Sequence, residues 1–177
     1  MTRPQDILER RLIFGHDPIL PLNHFNVSFE GGPAFDPPGR EGLTCLTNRM
    51  LFEGTQAHDR DAYHRSVESL GTEVLTATQN HGVSMGGTVL SRYAPQFLRL
   101  LQEAALTPRF RQEELNRVRR EMISELELMG DEDGYLARYW LRQMIFRDSP
   151  LKNHALGCID SLRKITVSDV RQAHQET

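Results

Sequence analysis

Gly42-Leu43-Thr44-Cys45-Leu46-Thr47-Asn48-Arg49-Met50-Leu51-Phe52-Glu53-Gly54-Thr55 is the stretch on which the fold turns. Leu43, Leu46, Met50 and Leu51 recur at i, i+3, i+7 and i+8, which places them on one face of a helix. Gly54 supplies the residue that readily ends such a helix. Just upstream the period is different. In Phe25-Asn26-Val27-Ser28-Phe29 apolar and polar residues alternate, as in a half-buried strand. Gly31-Gly32-Pro33 and Asp36-Pro37-Pro38-Gly39 read as the loop between strand and helix.

Downstream, Asp59 is a good N-cap for a second helix whose face is Tyr63, Val67 and Leu70. Glu73–Thr78 and Gly82–Leu90 read as strands, with Asn80-His81-Gly82 as a hairpin turn between them. Neighbouring segments paired in this way make antiparallel strands. The remainder reads as helix. Ala94–Ala105 carries Phe97, Leu98, Leu101 and Ala105, and Pro108 breaks the pattern. Gln112–Met129 is long and amphipathic through Leu115, Val118, Met122, Leu126 and Met129. Gly134–Phe146 carries Leu136, Trp140, Met144 and Ile145, with the acidic run Asp131-Glu132-Asp133 as its loop and N-cap. Thr166 and Asp169 resemble a capping box that opens a last helix. Strands in the first half and helices in the second predict an α+β fold, a mainly antiparallel sheet packed with helices.

A chain of 177 residues, 38% hydrophobic and 25% charged, has room for one domain with a real core. We expect a single domain over 1–177, C-terminally incomplete because the final helical pattern is cut at Thr177, with a further or partner segment completing the sheet. The net charge of −3 has no block of one sign, which speaks against nucleic acid or a membrane surface as partner. No apolar run is long enough for a bilayer-spanning helix. Residues 1–15 are too charged for a signal-peptide core, so the expected compartment is cytoplasmic. Cys45 and Cys158 make no disulfide framework and no zinc knuckle, and read as two buried small side chains. His16, His24, His58, His64, His81, His154 and His174 form no HxxxH or HxxEH pair, so surface or turn positions are expected. Arg117, Arg119 and Arg120 read as a solvated helix face.

Several segments resemble the N-terminal domain of the pitrilysin/insulinase family of zinc peptidases, which includes the mitochondrial processing peptidases. The resemblance is carried by Val27 through Gly39, by Gly42-Leu43 through Met50-Leu51-Phe52-Glu53-Gly54-Thr55, and by Ser69-Leu70-Gly71-Thr72-Glu73. Glu114–Glu127, Pro150 through Gly157, Asp160-Ser161-Leu162 and Ile165-Thr166 follow in the family's order. It covers roughly residues 10–175. The resemblance implies a processing-peptidase-like metallohydrolase domain.

In active members the helix before Met-Leu-Phe carries H-x-x-E-H. Two histidines one helical turn apart ligate zinc, the glutamate takes a proton from the metal-bound water, and a later glutamate is the third ligand. On this sequence the five positions read Cys45-Leu46-Thr47-Asn48-Arg49. Cys45 takes the first ligand position, Asn48 the base position and Arg49 the second ligand position. Asparagine lacks basicity, and arginine keeps its proton in a protein. Glu125 keeps the third ligand position at the family's separation. Val118 stands where a supporting glutamate is usual, and Leu75 where active members have the asparagine of a strand that helps hold substrate backbone. A zinc ion and a guanidinium ~4 Å apart at an effective dielectric of about 20 repel by roughly 8 kcal/mol. That offsets much of the ~10–16 kcal/mol of a structural zinc site.

The motif positions Cys45, Asn48, Arg49 and Glu125 are therefore expected to be degenerate, with no catalytic residues and no metal or other cofactor. Arg49 and Glu125 are expected to pair where zinc would join their helices. The implied role is that of a non-catalytic subunit or domain that binds peptide substrate or supports an active partner from the same family. Two alternatives stand beside it: an active zinc endopeptidase with a non-standard site, and a scaffold subunit of a larger complex.

Overall fold

The computed structural model describes residue 15 and residues 19–176. Residues 1–14, which enter the reading against a leader peptide, His16 and Thr177 lie outside the described residues. The elements are strand β1 (Leu22–Glu30), helices α1 (Leu43–Met50) and α2 (Arg60–Glu68), and strands β2 (Leu75–Gln79) and β3 (Gly82–Leu90). Then come α3 (Ala94–Leu106), α4 (Gln112–Gly130), α5 (Asp133–Ile145), α6 (Ile159–Lys164) and α7 (Val167–Glu176). This is the expected α+β class.

The sheet has the order β1-β3-β2, antiparallel throughout. Phe25 faces Gly87, Val27 faces Met85 and Phe29 faces Val83, so these residues share one face of the sheet. Thr76 and Thr78 of β2 lie on the same face, opposite Met85 and Val83. Helices α1 and α3 cover it. Gly87 lets them in: a Cβ there would sit 2.8 Å from the ring of Phe97, which packs against Phe25 at 6.1 Å between centroids.

Helix α1 lies at the centre of the molecule, between the sheet, α4 and α7. Its expected face is buried, with Leu46 and Met50 essentially closed to solvent. The loop before it is built to start it. The carboxylate of Asp36 accepts from the backbone of Gly42 (2.7 Å) and Thr44 (3.0 Å) and from the Thr44 hydroxyl (2.5 Å). Asp36 thus satisfies orphan amides of the first turn from outside the helix. The start is also locked by backbone. Gly42 has φ +95°, and a Cβ on Gly157 would fall 1.9 Å from the Glu41 carbonyl oxygen. No residue but glycine fits between these two loops.

Other expectations are refined. Asp59 caps α2 by accepting from Ala62, and Tyr63, Val67 and Leu70 are buried as predicted. Thr166 and Asp169 exchange side-chain and backbone bonds as a capping box at the start of α7. The buried stripe of α3 is Phe97, Leu100, Leu101 and Ala104, whereas Leu98 is exposed. The helix is rotated relative to the sequence reading because the sheet, not periodicity alone, sets which flank is covered. Helix α5 forms, but its apolar residues Leu136, Trp140, Met144 and Ile145 stand exposed, and the side chain of its N-cap residue Glu132 accepts no capping bond. Cys158 is exposed rather than buried, because it precedes the short helix α6, which has no signal in the sequence reading. The arginines of α4 are not merely solvated. Arg117 bonds Glu53, Glu114 and Glu121, and Arg119 donates to the Leu162 and Ile165 carbonyls, tying α4 to α6. Among the described residues no helix is long and apolar enough to cross a membrane.

Candidate functional site

Helix α4 buries Leu115, Val118 and Met122 along one stripe, and Glu125 continues that stripe one turn further. Helix α1 presents Cys45 and, one turn on, Arg49 toward α4. The two helices therefore deliver Arg49 and Glu125 to each other at the rim of the core. Arg49 Nη2 and Glu125 Oε2 are 2.9 Å apart, with side chains about one third exposed. The pair predicted from the sequence is present.

Burial works against the charge on Arg49, but Cys45 and Glu125 beside it outweigh burial, and its pKa lies above the ordinary value. The same burial pushes the Cys45 thiol up despite the neighbouring guanidinium, so the thiol stays protonated at neutral pH. Val118 is buried, an apolar filler that keeps the two helices packed. Leu75 begins β2 on its outer face and is 58% exposed.

Zinc needs three protein ligands around one point and an open fourth position. Here a guanidinium bonds Glu125, the one ligand position that keeps the family's residue type, and Cys45 and Glu125 are the only motif positions with a thiolate or carboxylate to offer a metal. Among the described residues no three His, Cys, Asp or Glu side chains gather where a metal could be held. The donor set does not fit zinc. His154 is half-buried near this end of α4. Its Nδ1 accepts from the Leu156 amide at 3.2 Å, and burial together with Arg142 keeps its pKa low despite Glu125. Of the other described histidines, His64 on α2 lines the cleft beside Arg49. The rest lie elsewhere: His24 bonds Thr88, His58 bonds Glu103, His174 bonds the Ala105 carbonyl, and His81 sits in the hairpin turn.

The base position holds the arrangement that sequence reasoning missed. Asn48 is 3% exposed, and its Nδ2 lies 3.2 Å from Thr78 Oγ1 and 3.4 Å from the Ala77 carbonyl of β2. Helical spacing on α1 shows only that Asn48 and Arg49 point to different sides. Nothing local points to a strand 30 residues away. Beside the site, a cleft of about 390 Å³ opens between α1, α2, β2 and α4, lined by Arg49, Phe52, Val67, Thr76 and Val118 among others.

A small antiparallel sheet backed by a central helix, with a second long helix set to share a ligand site with it, defines the processing-peptidase-like metallohydrolase fold. The chain belongs to the insulinase family (Peptidase family M16), whose model matches residues 16–158. It is 27% identical over 161 residues to the non-peptidase homolog YmxG of Helicobacter pylori, covering 91% of this chain and 37% of that protein. It is 21% identical over 145 residues to a probable mitochondrial-processing peptidase subunit beta of Arabidopsis thaliana, covering 82% of this chain and 27% of that protein. Among solved structures, it resembles a peptidase M16 inactive domain from Pseudomonas fluorescens with a TM-score of 0.82 and 25% identity, over 88% of this chain and 38% of that one. It matches the fold of pitrilysin with a TM-score of 0.78 at 18% identity, over 90% of this chain and 18% of that one. The chain thus spans less than two fifths of the length of each of these proteins.

Proposed function

We propose that this chain is a non-peptidase member of the insulinase family that holds extended peptide for a related subunit or domain and does not cut it. The observation that carries the reading is the Arg49–Glu125 pair at 2.9 Å. It puts a permanent cation where catalysis requires a divalent metal, beside an asparagine where it requires a base. With neither a metal-bound water nor a general base, the site has no means of generating the hydroxide that attacks a peptide bond.

Peptide holding is supported by β2. Among the described residues this strand pairs on one side only, with β3. An unpaired edge is a template for an added strand, bound through backbone hydrogen bonds. The cleft of about 390 Å³ beside Arg49 offers space for a side chain of such a peptide. A related partner supplies the catalytic centre that this chain lacks, and the name of the Helicobacter pylori relative, a non-peptidase homolog, is in keeping with that division of labour.

The test is metal content by mass spectrometry after dialysis against a weak chelator, together with a peptide-cleavage assay. We expect zinc far below one per chain and no cleavage. Stoichiometric zinc with cleavage would overturn the reading and turn attention to ligands outside the motif.

A further inference from the structure

We infer that Asn48 is a positioning residue for β2, having replaced proton transfer at the base position with an anchor for the edge strand. The inference rests on the peptide-holding reading for its purpose but not for its geometry. Strand β2 turns into β3 through the two residues Asn80 and His81, with Gln79 paired to Gly82. In such a hairpin the flanking pair exchanges both backbone hydrogen bonds, and the pattern then alternates. Gln79, Ala77 and Leu75 therefore turn their amides and carbonyls toward β3. Thr78 and Thr76 turn theirs toward the open edge.

Thr78 thus faces two directions. Its backbone faces the edge where a peptide strand would add. Its side chain points down to α1, where the Asn48 amide lies 3.2 Å from its hydroxyl oxygen. The same amide reaches the Ala77 carbonyl at 3.4 Å, from beneath the sheet. Asn48 is 3% exposed and Thr78 is half-buried, so water competes little for the contact. An amide suits this place because it donates. A glutamate here would set a buried carboxylate against a carbonyl oxygen, with no proton to offer either acceptor. The chain has traded a group that must stay free to move a proton for one held fixed by the strand.

Backbone hydrogen exchange tests this on the whole chain. Thr78→Val removes the hydroxyl while keeping a good strand former, and Thr78→Ser keeps the hydroxyl. Asn48→Ala removes the donor. We expect the Ala77 and Gln79 amides to exchange about tenfold faster in Thr78→Val and Asn48→Ala, as for loss of one net hydrogen bond. β1 amides serve as the internal standard, and Thr78→Ser should match the parent. If Ala77 and Gln79 change no more than the β1 amides, the anchor does not exist. Anisotropy of a fluorescently labelled, unstructured peptide rich in β-branched residues tests the purpose. Affinity about tenfold weaker in Thr78→Val, and unchanged in Thr78→Ser, supports the positioning role. Equal affinity in both overturns it even where exchange shows the anchor. No binding by the parent chain sinks the peptide-holding reading instead, and exchange alone then decides the anchor.

Discussion

Arg49 on α1 and Glu125 on α4 are joined at 2.9 Å, so the two helices that share zinc in active relatives are here linked by an ion pair. The side chains are about one third exposed, which limits what the pair contributes. We expect Arg49→Ala or Glu125→Ala to destabilise by only about 0.5–1 kcal/mol. The double variant Arg49→Ala with Glu125→Ala should lose less than the sum of the two single changes. Urea unfolding of the four proteins, analysed as a double-mutant cycle, measures the coupling. Additive effects would mean the contact contributes nothing.

The helices still present the ligand positions. Substituting Cys45→His, Asn48→Glu and Arg49→His together should restore zinc binding with Glu125 as third ligand. Metal analysis checks this, and adding Glu125→Gln should abolish it. Asn48→Glu alone should be less stable than the parent by about 1–3 kcal/mol, because the carboxylate is buried without a metal or donor to meet it. A triple variant without zinc would show that α1 and α4 no longer hold the family's spacing.

Core and surface should separate cleanly. Met122→Ala, at a side chain closed to solvent between α4 and α1, should cost about 2–5 kcal/mol. Leu128→Ala, two turns from it and 71% exposed, should stay within about 0.5 kcal/mol. Thermal or urea denaturation distinguishes them.

Gly157→Ala should prevent folding or destabilise strongly. The residue has φ +75°, and its Cβ would overlap the Glu41 carbonyl. Strain from φ alone is about 1 kcal/mol, and the overlap adds to it. A soluble variant with unchanged melting temperature would show that the Glu41–Gly157 approach is not required.

His154 should make stability fall in mild acid. Burial and the nearby Arg142 hold its pKa below the ordinary imidazole value of about 6.5. Above that value both folded and unfolded states are neutral, and the residue has no pH effect. As pH drops below it, the unfolded chain takes up a proton that the folded one refuses. Stability is therefore lost until pH reaches the lower folded value, and is flat beyond. Urea midpoints for the parent and His154→Gln between pH 7.5 and 5 should diverge in this sense, with the variant losing less.

Much of this was legible in the linear sequence. The alternation at Phe25–Phe29, the helical face through Leu46 and Met50, the Asp59 cap and the Thr166–Asp169 box are local patterns, and local patterns follow from backbone periodicity. The loss of the metal motif was legible too, since it depends on which residue types stand at Cys45, Asn48 and Arg49 and on what their groups can do chemically. Even the Arg49–Glu125 pair followed from charge and from the known spacing of two helices. The tertiary structure decided what periodicity leaves open. It chose which flank of α3 met the sheet, turned Cys158 outward, left the apolar side of α5 exposed, and set Arg119 against the ends of α6. Above all it brought Asn48 beneath Thr78. A hydrogen bond between residues 30 apart depends on how a helix lies on a sheet, and that is set by the packing of the whole core rather than by any segment of it.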